Sequence, residues 1–106
     1  MLNRPSRRGW RLKVRPGSEV EYRRRHREIW PELVESMPKR GIRTFSIFMD
    51  GNDLFLYAEV DLEQESSADV DTVQNRWQEF MSEILLREVD PATGRPPLME
   101  EVFHFE

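Results

Sequence analysis

A four-residue turn between two alternating segments constrains the fold of this chain more than any other feature. Apolar residues recur at every second position over residues 43–50 and again over residues 54–62, which is the pattern of half-buried strands. The turn between them, Asp50-Gly51-Asn52-Asp53, contains glycine and asparagine, which tolerate the positive φ of a tight turn. The two segments therefore predict an antiparallel hairpin.

The N-terminal half shows a strand pattern followed by a helix pattern. Gly9 to Arg15 alternates apolar and basic residues, which predicts a strand. Ser18 with Glu21 three residues later is a helix-start signature, and apolar or aromatic residues then recur at helical spacing as far as Met37. Pro31 predicts that this helix kinks or restarts, because proline removes a hydrogen bond from a helix interior.

The C-terminal half repeats the helix and strand patterns. Asp69 is expected to cap a second helix, whose apolar residues fall three and four positions apart as far as Ile84. Prolines and a glycine between Val89 and Pro97 predict a loop. Met99 to Phe105 then predicts a final strand.

The predicted elements run strand, helix, strand, strand, helix, strand. This order predicts an α+β domain of the ferredoxin-like βαββαβ type, with both helices on one face of an antiparallel sheet. At 106 residues the chain has room for one such domain, which we place at residues 9–106. Residues 1–8 are polar and lack a period, so we expect a flexible tail there.

The second face of the predicted sheet also carries apolar residues. Phe55 and Tyr57 alternate with Leu54, Leu56 and Ala58, so they point away from the helices. An apolar face left in water favours association. Packing of two sheets in a homodimer would cover it.

Composition excludes several classes of protein and of site. The chain has no cysteine, which excludes disulfides, thiolate metal sites and cysteine nucleophiles. It has no apolar run of membrane-spanning length and no signal-peptide pattern, so a cytoplasmic location is the default expectation. The residue spacing reveals no cluster of metal ligands and no glycine-rich phosphate loop.

Charge is distributed unevenly along the chain. Residues 1–43 carry 13 Lys and Arg against 5 Asp and Glu, and residues 44–106 carry 3 against 15. Basic segments can bind nucleic acid. These arginines lack the interleaved aromatic residues of a surface that stacks on bases. The preferred explanation of the uneven charge is that the two halves pack on each other or on a second copy, which brings opposite charges together.

The strongest candidate for chemistry is a tyrosine and a histidine one helical turn apart. Tyr22 and His26 share a helix face with Ile29 and Leu33, so a polar pair is expected on an otherwise apolar stripe. Such a pair must find partners or bind a ligand. An imidazole that titrates near neutrality is a candidate acid or base, although a structural histidine remains open on spacing alone.

Other residues have weaker claims to a pocket. Trp77 and Trp30 lie on apolar helix stripes, where an aromatic ring can be core or can stack on a sugar. Glu59 could be a second acid–base group or a surface carboxylate. His104 alternates out of phase with its aromatic neighbours on the last predicted strand.

The segment from Glu21 to Leu33, Glu-Tyr-Arg-Arg-Arg-His-Arg-Glu-Ile-Trp-Pro-Glu-Leu, closely resembles the L-rhamnose mutarotases. The resemblance extends over about residues 9–106 and includes Arg76-Trp77 on the second helix. It implies a cytoplasmic homodimer with the dimeric α+β barrel form of the ferredoxin-like fold, which needs no cofactor and interconverts α and β anomers. It also implies that His26 is the proton donor and that Tyr22 contacts the sugar.

Some positions depart from the pattern of that family. Phe45 stands where the family usually has a second tyrosine, and Gln78 follows Trp77 where the family has a second tryptophan. The segment from Asp90 to Pro96 also differs from the loop sequence that the family has before its last strand. We expect Phe45, Trp77, Gln78 and Trp30 to contribute to substrate binding, with Trp77 and Phe45 as walls of the pocket.

The leading hypothesis is therefore an isomerase, a mutarotase acting on L-rhamnose or a related 6-deoxy sugar. His26 would be its acid–base group and Tyr22 would orient the substrate. Two alternatives stay open at this point. One is a cyclase or isomerase of a non-sugar intermediate on the same scaffold, and the other is a dimeric module that binds a ligand or nucleic acid.

Overall fold

The chain folds into one antiparallel sheet covered by helices on a single face. The computed structural model describes residues 5–61, 68–86, 92 and 96–106. Its elements are β1 (Ser6–Val14), α1 (Glu19–Arg27), α2 (Pro31–Lys39), β2 (Ile42–Asp50), β3 (Asp53–Val60), α3 (Ala68–Ser82) and β4 (Leu85–Leu86). The sheet order is β2-β3-β1-β4. This is the ferredoxin-like arrangement, so the predicted fold class is confirmed.

The predicted hairpin forms, with one shift of register between Ile42 and Thr44. Asp50 pairs with Asp53, and the two strands remain paired as far as Ile42 and Val60. Gly51 supplies the positive φ of the turn at 61°, a conformation that costs glycine little because it has no Cβ. The register directs Leu54, Leu56 and Ala58 to the helix-covered face, where they are buried.

The first predicted helix is two helices separated at Pro31. Trp30 has extended backbone angles, φ −64° and ψ 127°, and serves as the N-cap of α2 with Pro31 as its first residue. Proline disfavours helical geometry in the residue before it, which ends the preceding helix, and it suits the first position of the next. The restart that Pro31 predicted is confirmed.

The start of α1 is where the sequence indicated, but its hydrogen bonds differ from those of a capping box. Ser18 is the N-cap and makes no side-chain cap bond. The Glu21 carboxylate accepts hydrogen bonds from Arg24 and Arg25 instead. The Glu19 carboxylate accepts from the backbone N–H of Gly17. Charged donors outcompete a backbone N–H for the carboxylate because charge-assisted hydrogen bonds are the stronger ones.

Strand β1 begins earlier than the sequence predicted. Ser6, Arg7 and Arg8 pair with Val60, Glu59 and Ala58 of β3. The expected tail was therefore wrong for residues 6–8, because β3 is long enough to pair with them. Residues 1–4 lie outside the described part of the chain.

The predicted final strand, Met99–Phe105, was wrong. The strand that completes the sheet is β4, which follows α3 directly and pairs Leu85 with Val14 and Leu86 with Lys13. The C-terminal segment makes a single bridge, from Leu98 to Trp10, and Met99 N–H donates to the Gly9 carbonyl at 2.7 Å. Alternation predicts an extended chain, but a strand also needs a ladder of backbone hydrogen bonds to a neighbouring strand. Most of the predicted loop, residues 89–97, lies outside the described residues.

The core lies between the sheet and the helices. Its largest fully buried side chains are Leu33, Leu54, Met81 and Val14. On the other face of the sheet Phe48 is 65% exposed and stands directly opposite Phe55. Among the described residues no helix is long and apolar enough to span a membrane.

Candidate active site

Helix α1 places Tyr22 and His26 side by side, as the sequence predicted. Their ring centroids are 4.4 Å apart with the planes tilted by 34°. The Nδ1 atom of His26 lies 3.1 Å from the backbone carbonyl oxygen of Tyr22. A carbonyl oxygen can only accept, so Nδ1 carries the proton of the neutral ring. Nε2 is then the nitrogen available to take up or release a proton.

Burial controls the charge of both rings. Desolvation lowers the pKa of His26 below its ordinary value, and the hydrogen bond to the Tyr22 carbonyl opposes this in part. Desolvation raises the pKa of the Tyr22 phenol. Neutral imidazole and neutral phenol are therefore the favoured forms near neutral pH. In these forms His26 Nε2 can accept a proton, and the phenol can donate a hydrogen bond.

A cleft between α1 and β2 lies beside this pair. Its volume is about 470 Å³, and it is lined by Tyr22, Arg23, His26, Arg27, Ile47 and Met49. Small-molecule sites are typically a few hundred Å³, with a mainly apolar lining and few polar groups. The cleft combines one ionisable imidazole, one phenol, two guanidinium groups and two apolar side chains. It can hold a small polar molecule against His26.

Trp77 forms the back of the site. It projects from α3, is 9% exposed, and meets the His26 ring edge-on with centroids 5.5 Å apart. The buried indole covers part of the His26 ring. Trp77 thus contacts His26, although it is not among the described residues that line the cleft.

The other predicted binding residues lie farther from the cleft. Trp30 packs edge-on against Trp77 at 5.1 Å and stacks on Phe80 at 5.5 Å. Phe45 packs edge-on against Trp10 at 5.9 Å, on the helix-covered face of the sheet. Gln78 is half-buried on α3 next to Trp77. None of these three is among the described residues that line the cleft.

Two weaker candidates are also outside the cleft. Glu59 accepts a hydrogen bond from the Tyr57 hydroxyl at 2.8 Å, on the face of the sheet that the helices do not cover. His104 lies on the exposed C-terminal segment, with Nε2 3.9 Å from a Glu106 carboxylate oxygen. Neither contributes to the cleft lining among the described residues.

Sequence reasoning missed the two arginines of the cleft. Arg23 and Arg27 are four residues apart, as Tyr22 and His26 are, and the two pairs occupy neighbouring stripes of α1. This repeated spacing was the available signal. Consecutive helix residues point in different directions, so the run Arg23–Arg25 by itself does not predict a shared anion site.

The rest of the arginine run ties α1 to its surroundings. Arg25 is buried and donates to the Glu21 carboxylate, the Phe80 carbonyl and the Glu83 carboxylate. Arg24 is more exposed and pairs with Glu21 and Glu28. Both arginines are paired because Glu21 and Glu28 lie three or four residues from them on the chain and Glu83 follows the end of α3.

Comparison with known proteins identifies a consistent set of relatives. A family model described as L-rhamnose mutarotase matches residues 7–105. An L-rhamnose mutarotase of Burkholderia ambifaria is 42% identical over 93 residues, or 85% of this chain and 89% of the relative. One of Oceanobacillus iheyensis is 36% identical over 103 residues, or 94% of this chain and 98% of the relative. The crystal structure of an L-rhamnose mutarotase from Formosa agariphila matches with a TM-score of 0.73 at 30% identity, covering 95% of this chain and 99% of that one.

Proposed function

The chain belongs to the L-rhamnose mutarotase family, and we propose that it interconverts the α and β anomers of L-rhamnose with His26 as its acid–base group. The enzyme is an isomerase. The observation that carries the residue assignment is the bond between His26 Nδ1 and the Tyr22 carbonyl, because it leaves Nε2 as the reactive nitrogen of a histidine that lines a cleft.

The reaction needs two proton transfers at neighbouring oxygens. Neutral His26 accepts the proton of the anomeric hydroxyl through Nε2, and the electron pair of that O–H bond becomes the carbonyl as the bond from C1 to the ring oxygen breaks. The imidazolium then gives the proton to the ring oxygen. Rotation about the C1–C2 bond turns the aldehyde. The same steps in reverse then close the ring by attack of the hydroxyl on the opposite face of the carbonyl, which gives the other anomer. Both oxygens are bonded to C1, so one imidazole can serve both.

The residues around His26 would orient the sugar and the imidazole and would not transfer protons themselves. Tyr22 lines the cleft, and its raised pKa keeps the phenol protonated as a hydrogen-bond donor for a sugar oxygen. Trp77 packs edge-on against the imidazole and would restrict its orientation. Direct contact of Phe45, Trp30 and Gln78 with the sugar stays a prediction, because each is supported only by the resemblance to the family.

The alternative of a cyclase or isomerase for a non-sugar intermediate is not favoured. The family model and the relatives described above all have the name L-rhamnose mutarotase. Their similarity extends over most of the chain, including the segment that contains Tyr22 and His26.

Exchange spectroscopy tests the assignment. Saturation of one anomeric proton of L-rhamnose should transfer to the other anomer in the presence of the protein. His26→Ala should lower this catalysed rate by about 10²–10⁴-fold, the usual contribution of a positioned acid–base group. His104→Ala is the matched control, since it removes the other histidine of the chain from an exposed segment. Full activity of His26→Ala would reject the role of His26.

We also propose that the enzyme is a cytoplasmic homodimer whose sheets pack face to face. Phe48 and Phe55 form a cross-strand pair on the uncovered face, and Phe48 is 65% exposed. Val102, Phe103 and Phe105 are each more than 80% exposed on the C-terminal segment. Burial of such apolar surface against a second copy would stabilise a dimer. The cytoplasmic location is the one the family resemblance implies, and cell fractionation would test it.

A further inference from the structure

Two positive charges flank the histidine in the cleft. Arg23 and Arg27 lie one helical turn apart on α1, and both line the cleft with His26. The Arg23 Nη1 atom lies 3.6 Å from the Met49 sulfur on β2, so the guanidinium of Arg23 reaches from the helix to the opposite wall. Both side chains are exposed to solvent and line the cleft, so an incoming ligand can reach them.

These charges differ from those of their neighbours on the same helix. Arg24 and Arg25 are neutralised by Glu21, Glu28 and Glu83. Within residues 5–61, 68–86, 92 and 96–106, neither Arg23 nor Arg27 forms an ion pair, and no carboxylate lines the cleft. The chain as a whole has a net charge of −4, so its overall charge does not explain a cationic cleft.

Helix stability does not explain the pair either. Like charges four residues apart on a helix repel each other. A cation is favoured in the last turn of a helix by the helix dipole, which accounts for Arg27 but not for Arg23 one turn earlier. Guanidinium groups bind carboxylate and phosphate oxygens through two parallel hydrogen bonds. An anionic group in the cleft would relieve the repulsion and satisfy the donors.

We propose that the cleft also accepts aldoses that carry an anionic substituent, with Arg23 and Arg27 binding the anion while His26 acts at the anomeric carbon. The catalytic part of this inference rests on the proposed mutarotase function. The arginine stripe is rotated by about 100° around α1 from the stripe of Tyr22 and His26. The anion therefore belongs on a carbon remote from C1, as in a hexuronic acid or an aldose 6-phosphate.

The experiment compares neutral and anionic sugars in the same assay. Anomer exchange is measured for L-rhamnose, D-galacturonate and D-glucose 6-phosphate with the wild-type protein and an R23Q/R27Q double variant. We expect the wild-type protein to accelerate at least one of the two anionic sugars. The ratio of kcat/KM for that sugar to kcat/KM for L-rhamnose should fall by roughly tenfold or more in the double variant, because charge-assisted hydrogen bonds are lost.

The R24Q variant is the matched control. Arg24 carries the same charge on the same helix but lies outside the cleft lining, so its removal should leave the ratio unchanged. Acceleration of galacturonate alone identifies a carboxylate as the anion, and acceleration of the 6-phosphate alone identifies a phosphate. An unchanged ratio in R23Q/R27Q, or an equal fall in R24Q, overturns the inference. Acceleration of L-rhamnose without either anionic sugar also overturns it.

A binding measurement separates this inference from the proposed function. The wild-type protein is titrated with galacturonate and with inorganic phosphate while the His26 ring signals are followed by NMR. Saturable shifts in the wild-type protein, with an affinity at least tenfold lower in R23Q/R27Q, support the anion site even if no sugar is isomerised. Equal binding by both proteins, or no binding, rejects the anion site even if L-rhamnose is isomerised.

Discussion

Arg25 donates a hydrogen bond from Nη1 to the Phe80 carbonyl oxygen at 2.7 Å, and its guanidinium carbon lies 3.9 Å from the centroid of the Phe80 ring. This contact joins α1, which carries His26, to α3, which carries Trp77. The guanidinium also donates to Glu21 on its own helix. Arg25 therefore helps to fix the position of the His26 imidazole relative to the Trp77 indole.

Removal of this contact should destabilise the fold. We expect Arg25→Met to lower the free energy of unfolding by about 2 kcal/mol, because the Phe80 carbonyl and the Glu21 carboxylate lose a charged donor while the ring contact is kept in part. Urea denaturation measures the loss. Arg24→Met is the control and should lower stability less than Arg25→Met, since the ion pairs of Arg24 are more exposed and are screened by solvent. Equal losses in the two variants would contradict a special role for Arg25.

Activity should depend on the neutral form of His26. Burial lowers the pKa of the imidazole below 6.5, so the protonated fraction grows only at more acidic pH. We expect kcat/KM for L-rhamnose to be level near neutrality and to fall as the pH drops through a value below 6.5. Exchange rates corrected for the uncatalysed reaction measure the profile. A midpoint above 6.5 would contradict the assignment of a buried neutral base.

Stability should decrease in acid for the same reason. The unfolded chain binds a proton on His26 with a pKa near 6.5, whereas the folded protein binds it only at lower pH. Below about pH 6.5 the unfolded state therefore holds more protons, and the free energy of unfolding falls. We expect this fall to be smaller in His26→Gln, measured by urea denaturation at neutral and acidic pH. His104→Gln should follow the wild-type protein, and identical curves for all three would exclude His26 as the cause.

Trp77 should affect both packing and the acidity of His26. Trp77→Leu removes the ring contacts with His26, Trp30 and Phe80, and we expect a loss of about 2–4 kcal/mol in unfolding free energy. Water that reaches the imidazole would raise its pKa toward the ordinary value. NMR titration of the His26 ring measures this shift. A pKa that stays at the wild-type value would show that other groups provide the desolvation.

The uncovered face of the sheet should control assembly. Phe48→Glu places a charge in the proposed interface and is expected to shift the protein from dimer to monomer, as measured by light scattering during size-exclusion chromatography. Val34→Glu, on the exposed side of α2, introduces the same charge at another exposed apolar position and should leave the dimer intact. A monomeric wild-type protein, or a dimeric Phe48→Glu variant, would exclude sheet-to-sheet packing.

The sequence predicted local features well. The turn at Gly51 and the break before Pro31 follow from backbone preferences of single residues, so neighbouring positions were sufficient to predict them. The contact between Tyr22 and His26 follows from helix geometry, since residues four apart share a face. These statements need no information about distant parts of the chain.

Features that depend on distant partners were missed or misplaced. An extended strand was expected at Met99–Phe105, yet β4 is Leu85–Leu86, because a strand is defined by the edge it pairs with and not by its own alternation. Arg25 was not distinguished from Arg23 and Arg24, because its partners Phe80, near the end of α3, and Glu83, just after it, lie more than fifty residues away in the sequence.

By itself, then, the sequence determined where the chain turns, which residues face inward on each element, and that an imidazole and a phenol share one helix face. Only the tertiary structure decided that Arg23 and Arg27 line the same cleft as His26 and that Trp77 packs against the His26 ring. The physical reason is that backbone dihedral preferences act between adjacent residues, whereas burial and charge pairing depend on which distant elements pack together.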